Sequence, residues 1–96
     1  MVTITIKDHV SEGFTNDDGA LLYGVIKEYL HNNDTIILSF EGMTSISSSF
    51  LNSSLVQVKE EIGFSELKRR FKFIKTNQSI NSTIRTRFSQ SHANVG

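Results

Sequence analysis

Residues 35–51 read TIILSFEGMTSISSSFL, and this stretch decides the fold. Residues 35–40 form a short run whose apolar side chains face both ways, which is typical of a central strand covered on both faces. Residues 41–44 contain a glycine and predict a turn. The serine-rich residues 45–49 then lead into a helix, in which apolar residues recur with a spacing of three or four. That apolar stripe consists of Leu51, Leu55, Val58 and Ile62.

The N-terminal third predicts a strand followed by a helix. Apolar and polar residues alternate over residues 2–7, which indicates a strand with one buried face. Residues 9–14 suggest a turn and a short second strand, a point that Gly13 leaves open. Asn16 or Asp17 can cap a helix that follows the 3.6-residue period to residue 30.

The C-terminal third predicts a further strand and a last helix. Gly63 is a plausible residue to end the second helix, and residues 64–70 predict a short irregular or helical connection. Phe71, Phe73 and Ile74 indicate a strand. Asn77 can cap a helix whose buried stripe is formed by Ile80, Ile84 and Phe88.

The resulting order of elements is β-(β)-α-β-α-β-α, which favours an α/β domain. We expect a mixed sheet of four or five strands with helices packed on it through right-handed crossovers. A chain of 96 residues suffices for one domain. We place that domain at residues 1–90 and expect residues 91–96 to form a frayed tail, since little there can be buried.

Charge is balanced overall but divided along the chain. Residues 1–63 carry three basic and nine acidic residues, whereas residues 64–96 carry seven basic and one acidic residue. No apolar run approaches the roughly 20 residues that a membrane helix needs, and the N-terminus lacks the apolar block of a signal peptide. These features predict a cytoplasmic protein.

The residues needed for common catalytic and metal chemistry are sparse. Cysteine is absent, and His9, His31 and His92 do not have the spacing of metal ligands on a helix. The chain also lacks a G-x-S-x-G motif, a phosphate-binding loop and a dinucleotide fingerprint. We therefore predict no metal, no cofactor and no enzymatic activity.

Residues 36–51 resemble the signature of STAS-type domains, the fold of anti-sigma-factor antagonists. In that signature a central strand ends in a glycine turn and a serine that opens a helix. The form found here, Ile-Ser-Ser-Ser-Phe at 46–50, is closer to a STAS-like group of uncharacterised small bacterial proteins. Residues 67–74 and 77–85 also resemble the tail of that group. The resemblance covers about residues 20–88 and implies a small STAS-like domain.

The chain departs from the family pattern at several polar positions. Ser39 stands where the pattern has an acidic residue at the strand end, and Ser47 replaces the acidic residue before the serine. A third acidic position falls at Asn52 or Ser53. The arginine that opens the first helix of the STAS-like group has no counterpart in residues 16–19.

Ser47 and Ser48 are the first candidates to cap the second helix, because a hydroxyl at that position accepts from first-turn amides. In anti-sigma-factor antagonists the serine matching Ser48 is phosphorylated by a GHKL-type kinase that also holds the sigma factor. The resemblance thus implies a regulatory protein-interaction module in which phosphorylated Ser48 repels its partner. The alternative is a purely structural role, in which the serines form a cap and a polar surface. The remaining residues expected to bind the partner are Met43, Ser47, Ser49, Phe50 and Asn52, with Phe50 either an apolar contact or part of the core.

A nucleic-acid-associated module is the rival hypothesis. Residues 68–75 mix basic with aromatic residues, and such a segment can contact phosphates and stack on bases. If residues 71–74 form a strand, its two phenylalanines belong to the core instead. The candidate residues for this role are Lys68, Arg69, Arg70, Lys72, Arg85 and Arg87. An unpaired sheet edge would also allow a homodimer, whose geometry the sequence does not set.

Overall fold

The computed structural model describes residues 1–93, and the side chains of residues 1–88. Three strands and five α-helices follow one another along this part of the chain. They are β1 (Val2–Thr5), α1 (Asn16–Leu30), β2 (Ile36–Ser39), α2 (Ser48–Asn52), α3 (Leu55–Ile62), α4 (Phe64–Arg70), β3 (Phe71–Ile74) and α5 (Gln78–Ala93).

The strands form one parallel sheet in the order β1-β2-β3. Residue Ile36 of β2 pairs with Val2 on one side and with Phe71 on the other. The prediction that residues 35–40 contain the central strand is therefore confirmed. The prediction of a mixed sheet of four or five strands is wrong, since the described residues form three strands and all are parallel.

The missing strand was expected within residues 9–14. Ile6–Asp8 forms a turn of 3₁₀-helix instead, and the amides of His9 and Val10 both donate to the Ile6 carbonyl, at 2.9 and 3.1 Å. The chain is thereby turned away from the sheet. Gly13 then binds the chain after β2, where its carbonyl accepts from the Ser47 amide at 2.8 Å.

The helices cover one face of the sheet. Right-handed crossovers that step in the same direction along a parallel sheet place their helices on the same side of it. The burial of the strand side chains is consistent with this arrangement. Ile4, Ile36 and Leu38 share that face and are almost fully buried. They pack into a core with residues of every helix, among them Leu22, Phe50, Leu51, Val58, Leu67 and Ile80.

The opposite face of the sheet is largely open. Thr3, Ile37 and Lys72 lie side by side on it, and all three are exposed or half-buried. On this face Ser39 alone is buried. The prediction that the central strand is covered on both faces is thus wrong, because the helices within residues 1–93 form one layer.

The single helix expected over residues 48–62 is divided into α2 and α3. Ser54, which is fully buried, donates its hydroxyl to the Phe50 carbonyl at 2.7 Å. A serine bonded to a carbonyl four residues earlier competes with the regular helical pattern. Residues of both α2 and α3, among them Phe50, Leu51 and Val58, belong to the same core.

The cap of α5 is the predicted residue, and the cap of α1 is not. The prediction that Asn16 or Asp17 caps α1 is wrong, because Thr15 accepts from the Asp18 amide at 3.0 Å and starts that helix. Asn77 starts α5 by accepting from the Ile80 amide at 2.8 Å, as predicted. Helix α5 continues to Ala93, into the range expected to fray, and residues 94–96 lie outside the described part. Among residues 1–93 no helix has both the length and the apolar character needed to cross a membrane.

Candidate functional site

The loop after β2 is fixed by backbone and side-chain hydrogen bonds. Gly42 adopts φ +83°, a conformation that favours glycine, and this turns the chain after the strand. The Met43 amide donates to the Phe40 carbonyl at 2.9 Å. The Asn77 side chain then donates to the Thr44 carbonyl at 3.0 Å, which joins this loop to the one after β3. The start of α2 is therefore held rigidly at the carboxyl end of the sheet.

Ser47 caps α2. Its hydroxyl oxygen accepts from the Phe50 amide at 3.1 Å, and its hydroxyl donates to the Phe14 carbonyl at 2.8 Å. Both roles of this hydroxyl are structural. Ser48 and Ser49 follow in the first turn and are exposed. We call Ser47, Ser48, Ser49 and Asn52 the serine surface.

Replacing Ser47 with alanine is expected to destabilise the domain by about 1 kcal/mol, since loss of a serine cap typically costs this much. The measurement is urea denaturation followed by circular dichroism. Ser49→Ala is the matched control, because the side chain of Ser49 is exposed in the same turn, and we expect less than about 0.5 kcal/mol for it. Equal effects of the two substitutions would show that the Ser47 cap contributes nothing particular.

Met43 and Phe50 do not belong to the serine surface. Both are buried in the core, Phe50 completely, so neither is available as a direct partner contact. The sequence left open whether Phe50 is a core residue or an apolar contact, and the structure places it in the core. Asn52 is half-buried, and its side-chain oxygen accepts from Nε of Arg87 on α5.

A cleft separates Ser48 from α5. Its volume is about 190 Å³, and it is lined by Ser48, Ser82, Thr83, Thr86 and Arg87. We call it the serine–threonine cleft. The sequence analysis missed the three hydroxyl residues of α5. Their spacing was the available signal, since positions 82, 83, 86 and 87 recur on one helix face.

The six basic residues proposed for nucleic-acid binding have separate environments. Arg70 is half-buried and donates to three carbonyls, those of Leu30, Asn33 and Asp34, at 2.7, 2.6 and 3.2 Å. Arg70 therefore anchors the connection between α1 and β2. Arg69 forms an ion pair with Glu66 at 2.8 Å, and the hydrogen bond from Arg69 lowers the pKa of that carboxyl.

The other four basic residues lie on three surfaces. Lys68 lies 5.5 Å from the centre of the Phe64 ring, and with Arg85 it borders an apolar groove of about 290 Å³ between α4, β3 and α5. Lys72 lies on the open face of the sheet, while Arg87 binds Asn52. Phe71 and Phe73 turn to the helix-covered face, as a strand predicts. The described residues thus do not gather these cations into one stripe.

The described side chains contain no group of three or more His, Cys, Asp or Glu residues placed to hold a metal ion. His9 and His31 are exposed, and the side chain of His92 lies outside the described ones. Asp17 is exposed at the start of α1, and Asp18 accepts from the Glu12 amide at 3.1 Å. The strongest chemical feature of the described residues is therefore the group of hydroxyls around Ser48.

The domain is a small α/β domain with a parallel sheet and one layer of helices. A serine-capped helix follows the central strand of that sheet. Residues 18–81 match the model of the STAS-like domain of unknown function (DUF4325). The match spans two thirds of the chain, which therefore belongs to this family. Neither a curated protein nor a solved structure matches the chain.

Proposed function

We propose that this STAS-like domain is a non-catalytic regulatory module that binds a protein partner through the serine surface. Phosphorylation of Ser48 would release that partner. The observation that supports this proposal most is that the neighbouring serines Ser47 and Ser48 have different environments. Ser47 caps α2 and forms two hydrogen bonds, whereas Ser48 is exposed as the first residue of α2. Ser48 is thus free to be modified without loss of the cap.

The modification transfers a phosphoryl group from ATP bound to a kinase. The Ser48 oxygen forms a bond to the γ-phosphorus, the bond from that phosphorus to the bridging oxygen breaks, and ADP leaves. The hydroxyl proton passes to a base of the kinase. The product carries an added charge of about −1.5 to −2 at pH 7, which can repel an acidic or apolar partner surface.

The class of partner comes from the family resemblance. Anti-sigma-factor antagonists engage GHKL-type ATPases that act as their kinases, and we extend this to the present chain as part of the proposal. The separation of the six basic residues favours this function over nucleic-acid binding. Such binding usually requires several cations to neutralise phosphates along one surface.

The proposal predicts that a negative charge at position 48 weakens partner binding. Purified GHKL-type ATPases encoded in the same genome are titrated one by one into the domain by calorimetry. We expect one of them to bind the wild type and Ser48→Ala alike, and Ser48→Asp at least about tenfold more weakly, or about 1.4 kcal/mol.

Ser65→Asp is the matched control, since Ser65 is exposed on α4, outside the serine surface. We expect this variant to bind like the wild type. If no ATPase binds, or if Ser48→Asp binds as tightly as the wild type, the proposed function is wrong.

A further inference from the structure

We propose that a phosphoryl group on Ser48 is received within the same chain by Arg87, in the serine–threonine cleft. The phosphorylated state would then be a clamp that ties α2 to α5. This inference rests on the proposed function for the presence of the phosphate, and it adds the site that binds the phosphate. It gives Arg87 a role in regulation in place of nucleic-acid binding.

The spacing along α2 brings Arg87 towards Ser48. Ser48 and Asn52 are the first and last residues of α2. Residues four positions apart on a helix share a face, with their Cβ atoms about 5–6 Å apart. Because Nε of Arg87 donates to the Asn52 side chain, the guanidinium is held one helical turn from Ser48.

The guanidinium suits a phosphate at this position. Arginine has five N–H donors in a rigid fork, and its planar geometry matches phosphate oxygens. The bond to Asn52 uses one of these donors. Ser48 and Arg87 line the same cleft, so the remaining N–H donors border the space that a phosphoryl group on Ser48 would enter.

The walls of the cleft are compatible with an anion. Its lining residues are Ser48, Ser82, Thr83, Thr86 and Arg87, none of which is acidic. The hydroxyl of Thr83 already donates to the Ser79 carbonyl at 3.1 Å, so the α5 hydroxyls that can donate to a phosphate oxygen are those of Ser82 and Thr86. A volume of about 190 Å³ is large enough for a phosphoryl group and some water, given that one water occupies roughly 30 Å³.

Contact with Arg87 would change the titration of the phosphate. A nearby positive charge favours the dianion over the monoanion, so the second pKa of the phosphoserine falls below its usual value of about 6. A lowered pKa in the folded state means that the clamp stabilises the domain above that usual pKa. This stabilisation is lost as the pH falls through the lowered value.

The test uses the full chain with phosphoserine introduced at position 48 by an expanded genetic code. The phosphorus resonance is titrated by ³¹P NMR in the wild type and in Arg87→Gln. We expect the second pKa to be about 1 unit lower in the wild type than in Arg87→Gln. Arg85→Gln is the matched control, because it removes a positive charge from the same helix at the border of the apolar groove. The second pKa of the phosphoserine in this variant should equal that in the wild type.

Amide correlation spectra of each unphosphorylated variant establish that it is folded. If Arg87→Gln does not fold, Arg87→Lys keeps the charge but removes the fork, and its phosphate should titrate between the wild type and the usual value of about 6. Equal pKa values in the wild type and Arg87→Gln, or equal rises in Arg87→Gln and Arg85→Gln, would overturn the clamp. The titration needs no partner, so failure here leaves the docking proposal intact. Failure of the calorimetric test does not change the titration.

Discussion

Phe50→Ala is expected to destabilise the domain by about 3–5 kcal/mol, the usual range for removing a buried aromatic ring. Phe50 directly follows two exposed serines, yet its side chain is fully buried. Its loss would leave a cavity beneath α2. Urea denaturation monitored by circular dichroism measures the change, since m-values and midpoints together give the free energy of unfolding.

Two outcomes separate a core role for Phe50 from a role in partner binding. A core residue lowers stability in the isolated domain, with no partner present. A surface contact would leave stability within about 0.5 kcal/mol of the wild type, like most exposed positions. The second result would contradict the placement of α2 on the core and return Phe50 to the predicted partner surface.

Gly19→Ala is expected to destabilise the domain by about 1–2 kcal/mol, the overpacking cost less the gain in helix propensity. A Cβ atom at Gly19 would lie 2.5 Å from the Phe50 carbonyl oxygen and 2.8 Å from Cβ of Ser53. The carbonyl belongs to the backbone of α2 and cannot move without shifting that helix. Overpacking of this kind typically costs about 1–3 kcal/mol. The higher helix propensity of alanine offsets about 1 kcal/mol of that cost. Because the 2.5 Å contact is with a backbone atom, we expect a cost in the upper part of the range and a net loss of stability.

Gly24→Ala, in the same helix, is the matched control. An added Cβ at Gly24 meets nothing within 4 Å. Only the helix propensity then changes, and we expect a gain of about 0.5–1 kcal/mol. Opposite signs for the two substitutions, measured by urea denaturation, would establish that α1 crosses α2 at Gly19. A gain in stability for Gly19→Ala would contradict that contact.

The features that the sequence predicted well depend on neighbours along the chain. The caps at Ser47 and Asn77 need only an oxygen acceptor three residues before an amide. The central position of β2 followed from its continuous apolar run, whereas the sequence left open which of Ser47 and Ser48 is the cap. The resemblance to the STAS-like family is also confirmed, by the family match over residues 18–81.

The features that the sequence did not predict depend on contacts between distant residues. The number of strands changed because residues 9–14 bond to the loop after β2 instead of to the sheet, as the bond from the Ser47 amide to the Gly13 carbonyl shows. Arg70 reads as one member of a basic run, yet its three acceptors lie 36 to 40 residues earlier in the chain. The pairing of Arg87 with Asn52 spans 35 residues and has no local signal.

The phosphorylation of Ser48 can be tested by fragmentation mass spectrometry. The chain is purified for this from the cells that naturally produce it. Ser48 is claimed to be the phosphate acceptor, next to a Ser47 hydroxyl that the fold already occupies. The account predicts a fraction of molecules with one phosphate, located on Ser48, and none on Ser47. A chain that remains unmodified from growth into starvation, or that carries its phosphate on a serine outside the serine surface, would contradict it.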